Sequence, residues 1–296
     1  MSRGLGLTGL VTELPDAVVV LFAFVTQLGD FWFVFSLCAL AYWLGPHAPY
    51  VGRGLTRERA AMVLALLVAA IALTVSLKTA FGLPRPAGSA VAPEARVVPG
   101  GFRDLYRRMA TGDGYGFPSG HATMAVLVWG GLAWAVRVGR RRHRVAIAGT
   151  VVALVALSRL VIGVHYAVDV LAGAVVAGGF LWAALSSHRT PQRVFGASAL
   201  VALGGLALVG FTRDVGAALG LSVAGTVVST ALPDLPTPTR RGTAVTMTLG
   251  LLTAGVLVAA ALFVLSDGPT MLAFAAVGTA LLLALPLAGE RVAKKV

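Results

Sequence analysis

The stretch AAMVLALLVAAIALTVSL, Ala60–Leu77, decides the fold: 18 residues without a charge, followed directly by KTAFGLPRP, Lys78–Pro86. A run of about 18 apolar residues is long enough to cross the hydrocarbon layer of a bilayer, and a helix satisfies its own backbone there. Lys78 marks the interface, and Gly82, Pro84 and Pro86 stop the helix.

Working outward, the same pattern recurs at 119–136, 145–157, 168–185, 194–211, 215–232, 243–265 and 271–287, which makes eight firm spans. The segment from Asp16 to Leu44 is also apolar but is broken at Gly29-Asp30. It reads either as an interfacial helix followed by a span or as a tight hairpin, and so allows a ninth crossing. Hydrophobic residues make up 57% of the chain and charged ones only 12%, which excludes an ordinary soluble domain. The apolar runs are continuous rather than alternating, so the expectation is an all-α, polytopic transmembrane helical bundle. Small residues in the later spans, such as Gly216-x-x-x-Gly220, suit close helix packing in lipid.

A net charge of +12 raises nucleic acid as a partner. The basic residues, however, sit in short loops between apolar runs and form no long exposed stripe, so membrane topology explains them and nucleic acid is set aside. Arg137, Arg140, Arg141, Arg142 and Arg144 mark one loop as cytoplasmic. Alternation then places Arg53, Arg57 and Arg59, Arg189 and Arg193, Arg240 and Arg241, and Arg291, Lys294 and Lys295 on the same side. The expectation is a multi-pass protein of the cell membrane with a cytoplasmic C-terminus. Lys78 to Pro118 and the turn from Arg159 to His165 then lie on the extracytoplasmic face. The single cysteine, Cys38, excludes an intramolecular disulfide and reads as packing. Arg3 followed by Glu13, Pro15 and Asp16 makes a poor signal peptide.

Three segments place polar residues at helix ends on that one face. The first holds Lys78 and Arg85, which read in isolation as interfacial bases but could converge from an unwound helix end. In the second, Pro118-Ser119-Gly120-His121, proline and serine open a helix whose free amides and dipole suit a phosphate. Ser119 can add a hydroxyl donor, and His121 stands where it could protonate a leaving oxygen. The third runs from Ser158-Arg159 to His165 and Asp169. With a helix beginning near His165, Asp169 lies one turn on and its carboxylate can accept the ring's second N–H. An aspartate just inside an apolar span is costly unless partnered, so Asp169 points to function by itself. Three cations, a helix-end cradle, a nucleophile with its orienter and an acid suffice for phosphoryl transfer, with no metal or other cofactor required.

In order and spacing these segments resemble the signature of the type 2 phosphatidic acid phosphatase (PAP2) superfamily: K-x6-RP at Lys78–Pro86, PSGH at Pro118–His121 and SR-x5-H-x3-D at Ser158–Asp169. The resemblance covers roughly residues 14–187. It implies a core like that of the PAP2 enzymes and vanadium haloperoxidases, with about three to four extra C-terminal membrane helices. The chain accordingly divides into a catalytic membrane core, 1–187, and an appended transmembrane module, 188–296. By resemblance His165 is the nucleophile, Asp169 orients it, and His121 protonates the leaving alcohol and later activates water. Lys78, Arg85, Ser119, Gly120 and Arg159 would hold the phosphate oxygens.

The resemblance further implies a metal-independent hydrolase acting on a lipid phosphate, of the phosphatidate, phosphatidylglycerophosphate or polyprenyl diphosphate class. Its partners would be that substrate and membrane lipids. The runner-up is a lipid phosphotransferase using the same phosphohistidine, because the acceptor is chosen by pocket shape. An anion transporter is a third reading, although its ionisable groups should lie at mid-membrane rather than cluster at one interface.

Overall fold

The computed structural model describes residues 14–94, 96–186, 190–234, 238–264 and 267–295. Arg3, Glu13, Arg189, the 187/188 boundary and the end of the span expected at 243–265 lie outside the described residues. Among those described, the secondary structure is entirely helical: α1 Asp16–Val25, α2 Phe31–Leu44, α3 Arg57–Phe81, α4 Arg103–Ala110, α5 Gly120–Ala135, α6 Arg141–Val161, α7 Ala167–Leu185, α8 Pro191–Val209, α9 Arg213–Ala231, α10 Arg240–Val264 and α11 Gly268–Ala293.

Seven helices, α3 and α6 to α11, are long and apolar enough to cross a membrane, and the bent pair α1–α2 makes up to eight. This differs from the eight to nine spans expected. Helix α5 has only 16 residues, about 24 Å at 1.5 Å per residue. It opens late, at the Ser119 cap, and ends where Val136 turns extended. The Gly29-Asp30 break does not produce a hairpin. A 3₁₀ turn, Thr26–Gly29, joins α1 to α2 with a bend of 43°.

Helix α3 is the axis of the molecule. Nearly every side chain from Ala60 to Leu73 is buried, and α2, α5, α8 and α9 pack around it. Its two ends differ in chemistry. At the Arg57 end, Arg137 N–H donates to the Gly54 carbonyl, His47 Nδ1 meets Thr243 Oγ1 at 3.0 Å, and Arg57 pairs with Glu290 at 3.9 Å. The loops that carry Arg53, Arg137 and Arg240 therefore converge on this end. The Lys78 end faces α1, α4 and the corner between α6 and α7, where Val19, Ala23, Tyr106, Met109, Val161 and Val164 form a second small core.

The C-terminal helices are built into this core rather than hung beside it. Phe195 of α8 and Leu283 and Leu285 of α11 belong to the same buried cluster as Leu66 and Leu67 of α3. Gly216 and Gly220 let α9 approach the α11 backbone closely: a Cβ at either would run into the carbonyl of Gly268 or of Leu272. The small-residue spacing thus serves packing within the chain. Glu290 accepts hydrogen bonds from the Thr239 amide and hydroxyl at 3.0 and 2.8 Å and faces Arg57. Breaking a buried pair of this kind costs about 3–5 kcal/mol, so it holds α11 and α10 firmly to the start of α3.

Candidate active site

Helix α3 continues to Phe81, four residues beyond the expected end, and closes on Gly82 in the left-handed conformation, φ 59°. A glycine tolerates that φ without a Cβ clash. Lys78 therefore sits in the last helical turn, while Arg85 returns toward it from the loop. Lys78 Nζ donates to the Tyr115 carbonyl at 2.8 Å, and Arg85 Nε donates to the Asp113 carbonyl at 2.7 Å. Gly112 and Gly116 permit this: a Cβ at Gly112 would lie 2.7 Å from Arg85 Nη1, and one at Gly116 would lie 3.1 Å from Arg85 Cα.

Helix α5 begins at Gly120 with Ser119 as its N-cap, its hydroxyl accepting from the Ala122 amide at 3.5 Å. That hydroxyl keeps its own proton to donate, and the amides of Gly120 and His121 fall outside the helix's own ladder. The start of α5 is wedged between two helices. A Cβ at Gly120 would lie 2.8 Å from Thr74 Cγ2 of α3, and one at Gly173 of α7 would lie 2.7 Å from the Ser119 carbonyl. Ser119 N–H also donates to the Asp169 carbonyl at 2.9 Å, joining the second and third segments.

In the third segment the helix starts two residues later than expected, at Ala167, with Tyr166 as N-cap and Asp169 in the first turn. Asp169 Oδ2 accepts from the Tyr166 amide at 2.9 Å, and this capping turn brings it to His165. The gap to His165 Nδ1 is 3.6 Å, an ion-pair distance but too long for a hydrogen bond. On the ring's other side, Arg85 Nη1 lies 3.1 Å from Nε2 and 3.0 Å from the Val164 carbonyl. A guanidinium can only donate. Nε2 must therefore present its lone pair, and the ring proton sits on Nδ1, facing Asp169. Burial holds the His165 pKa well below the usual imidazole value, with the charges of Arg159, Arg85 and Lys78 adding to it. The ring is neutral, with a lone pair directed at cations.

Arg159 is 3% exposed. Its Nη1 donates to Thr26 Oγ1 at 2.6 Å, whereas its Nε is buried without a hydrogen-bond partner among the described residues. Buried donors of this kind are uncommon, and here one lies in a site rich in positive charge. Lys78, Arg85, Arg159 and the α5 N-terminus gather at the His165–Asp169 pair, and His121 lies close enough for its charge to bear on His165. Such an arrangement can bind a phosphoryl group and present it to an imidazole lone pair. Sequence reasoning missed Asp30, whose Oδ2 lies 3.5 Å from His121 Nε2. The cost of a carboxylate in an apolar run, already used for Asp169, could have found it.

Residues 59–193 match the family model described as PAP2 superfamily. No curated protein and no solved structure matches the chain. The match runs from the first turn of α3 into the first turn of α8, and includes all eight site residues named from the sequence.

Proposed function

We propose that this multi-pass helical membrane protein, which carries a PAP2 superfamily domain over residues 59–193, is a metal-independent lipid phosphate phosphatase working through a phosphohistidine. The observation that carries the reading is the 3.1 Å approach of Arg85 to His165 Nε2, which sets an imidazole lone pair beside a phosphate-binding guanidinium.

In the proposed reaction Nε2 attacks phosphorus and the bond from phosphorus to the lipid oxygen breaks. That oxygen takes a proton from His121. Asp169 offsets the positive charge that develops on the ring, while Lys78, Arg85, Arg159, Ser119 and the Gly120 amide hold the phosphoryl oxygens. Water then attacks the phosphohistidine, giving its proton to His121. The N–P bond breaks and phosphate leaves.

A lipid substrate is supported by the apolar rim. Phe81, 55% exposed, ends the helix that bears Lys78 and packs edge-on against Phe117, two residues before Ser119. Phe102 and Leu105, 62% and 50% exposed, stand on the adjoining loop and on α4. With the PAP2 resemblance, this favours phosphatidate, phosphatidylglycerophosphate or a polyprenyl diphosphate. Purified protein in detergent should release phosphate from at least one of these in excess EDTA and lose that activity to vanadate. Activity that disappears with EDTA and returns with a divalent cation would refute the metal-free reading, and phosphoryl transfer to an added alcohol in place of release would make the protein a phosphotransferase.

The same proposal sets the site on the extracytoplasmic face, since Arg53, Arg137, Arg140–Arg142, Arg240 and Arg241 belong to the opposite end. A cysteine introduced at Val138, with Cys38 replaced, should resist an impermeant thiol reagent in sealed cells. Prompt labelling would invert the orientation.

A further inference from the structure

The break between α1 and α2 lies outside the PAP2 domain, yet four contacts pin it to the site. Arg159 Nη1 donates to Thr26 Oγ1 at 2.6 Å, and Trp129 Nε1 of α5 donates to the Leu28 carbonyl at 2.9 Å. Gly29 presses against α5 and α6 so closely that a Cβ there would lie 3.2 Å from the His121 carbonyl and 2.6 Å from Val155 Cγ1. The fourth contact is Asp30 Oδ2 to His121 Nε2, 3.5 Å. Asp30 stands at the N-cap of α2, the position where aspartate commonly caps, and its carboxylate also reaches His121. Both side chains are only partly exposed, 34% for Asp30 and 20% for His121.

We infer that Asp30 is a positioning residue acting through His121: its carboxylate holds the imidazolium that must protonate the leaving oxygen. The inference rests on the phosphohistidine reading above. Together with His165–Asp169, it gives the site two histidine–carboxylate pairs of opposite duty. Asp169 supports a neutral imidazole whose Nε2 lone pair faces Arg85, and Asp30 supports the form of His121 that carries an extra proton. In the first step the protonated ring points one N–H toward Asp30 and passes the other proton to the lipid oxygen as the P–O bond breaks. In the second step the neutral ring takes a proton from the attacking water. Asp30 stays ionised throughout and exchanges no proton. Arg159, Lys78 and His165 are the other charged or titratable groups acting on His121 or acted on by it. Both Arg159 and Lys78 carry positive charge, so Asp30 is the group that favours protonation.

Leaving-group dependence tests this. An alkyl lipid phosphate needs its departing oxygen protonated, whereas p-nitrophenyl phosphate releases a stable phenolate without help. Asp30→Asn should lower kcat on the lipid phosphate by roughly 10²-fold, leave KM within about threefold, and lower kcat on p-nitrophenyl phosphate by less than about threefold. Asp30→Glu should restore part of the lipid activity. An equal fall on both substrates would mean that Asp30 only balances charge or supports folding, and no fall on either would mean that it has no part in the step. Each result would overturn the inference. Should Asp30→Asn fail to fold, Asp30→Ser keeps an N-cap residue and is judged by the same comparison. His165→Ala separates the two proposals: it should abolish turnover of both substrates, and turnover persisting there would fault the phosphohistidine reading itself.

Discussion

Replacing His165 with alanine should lower phosphate release from the lipid substrate by at least about 10⁴-fold, the scale seen when an essential nucleophile is removed. The expectation follows from the ring's surroundings. His165 is 2% exposed, its Nε2 meets Arg85 at 3.1 Å, and its Nδ1 faces Asp169 at 3.6 Å. His121, the other imidazole of the site, has its Nε2 turned to Asp30 at 3.5 Å. The variant should also fail to accumulate an acid-labile phosphoprotein when unmodified protein does so in rapid quench. His165→Asn, closer in size and still polar, guards against a folding artefact. Full activity in either variant, with a monodisperse profile in detergent, would end the phosphohistidine mechanism.

Arg159→Ala should lower kcat/KM by roughly 10³–10⁵, the range associated with an arginine that stabilises a transferring phosphoryl group. Arg159→Lys should recover only part of this, because an ammonium cannot offer the planar fork of donors that matches phosphate oxygens. The companion expectation concerns stability. Arg159 is nearly fully buried, and one of its donors has no partner among the described residues. Its folded-state reward is therefore small against the cost of burying its charge. Arg159→Met, of similar length and apolar, should leave the thermal midpoint unchanged or raise it while activity collapses. A structural pin would behave otherwise, with stability and activity falling together. The hydrogen bond to Thr26 that is lost contributes on the order of 1 kcal/mol. Thermal unfolding in detergent beside the kinetic assay distinguishes the outcomes.

Much of the site was legible because its parts are local. Lys78 and Arg85, Ser119 to His121, and Arg159, His165 and Asp169 each lie within 12 residues of chain, at helix ends whose breakers and caps are written in the sequence. The long polar stretch between Arg85 and Phe117 was less legible. There the structure folds α4 and uses the carbonyls of Asp113 and Tyr115 to hold Arg85 and Lys78. Backbone acceptors leave no trace in residue identity, and the two glycines that admit them, Gly112 and Gly116, look like ordinary loop glycines.

By itself, then, the sequence determined that the chain is a bundle of membrane helices and that three segments match the motifs of the PAP2 superfamily. Apolar run length, capping and the cost of buried charge are properties of neighbours in the chain. The tertiary structure decided the rest. It put Arg85 against Nε2 of His165, which assigns the ring proton to Nδ1. It joined the C-terminal helices to α3 in a common core. It also brought Asp30 to His121 across 91 positions of sequence. Contacts of that kind depend on how closely helices approach, and the approach is set by small residues such as Gly29, Gly120 and Gly173 meeting partners that no local pattern specifies.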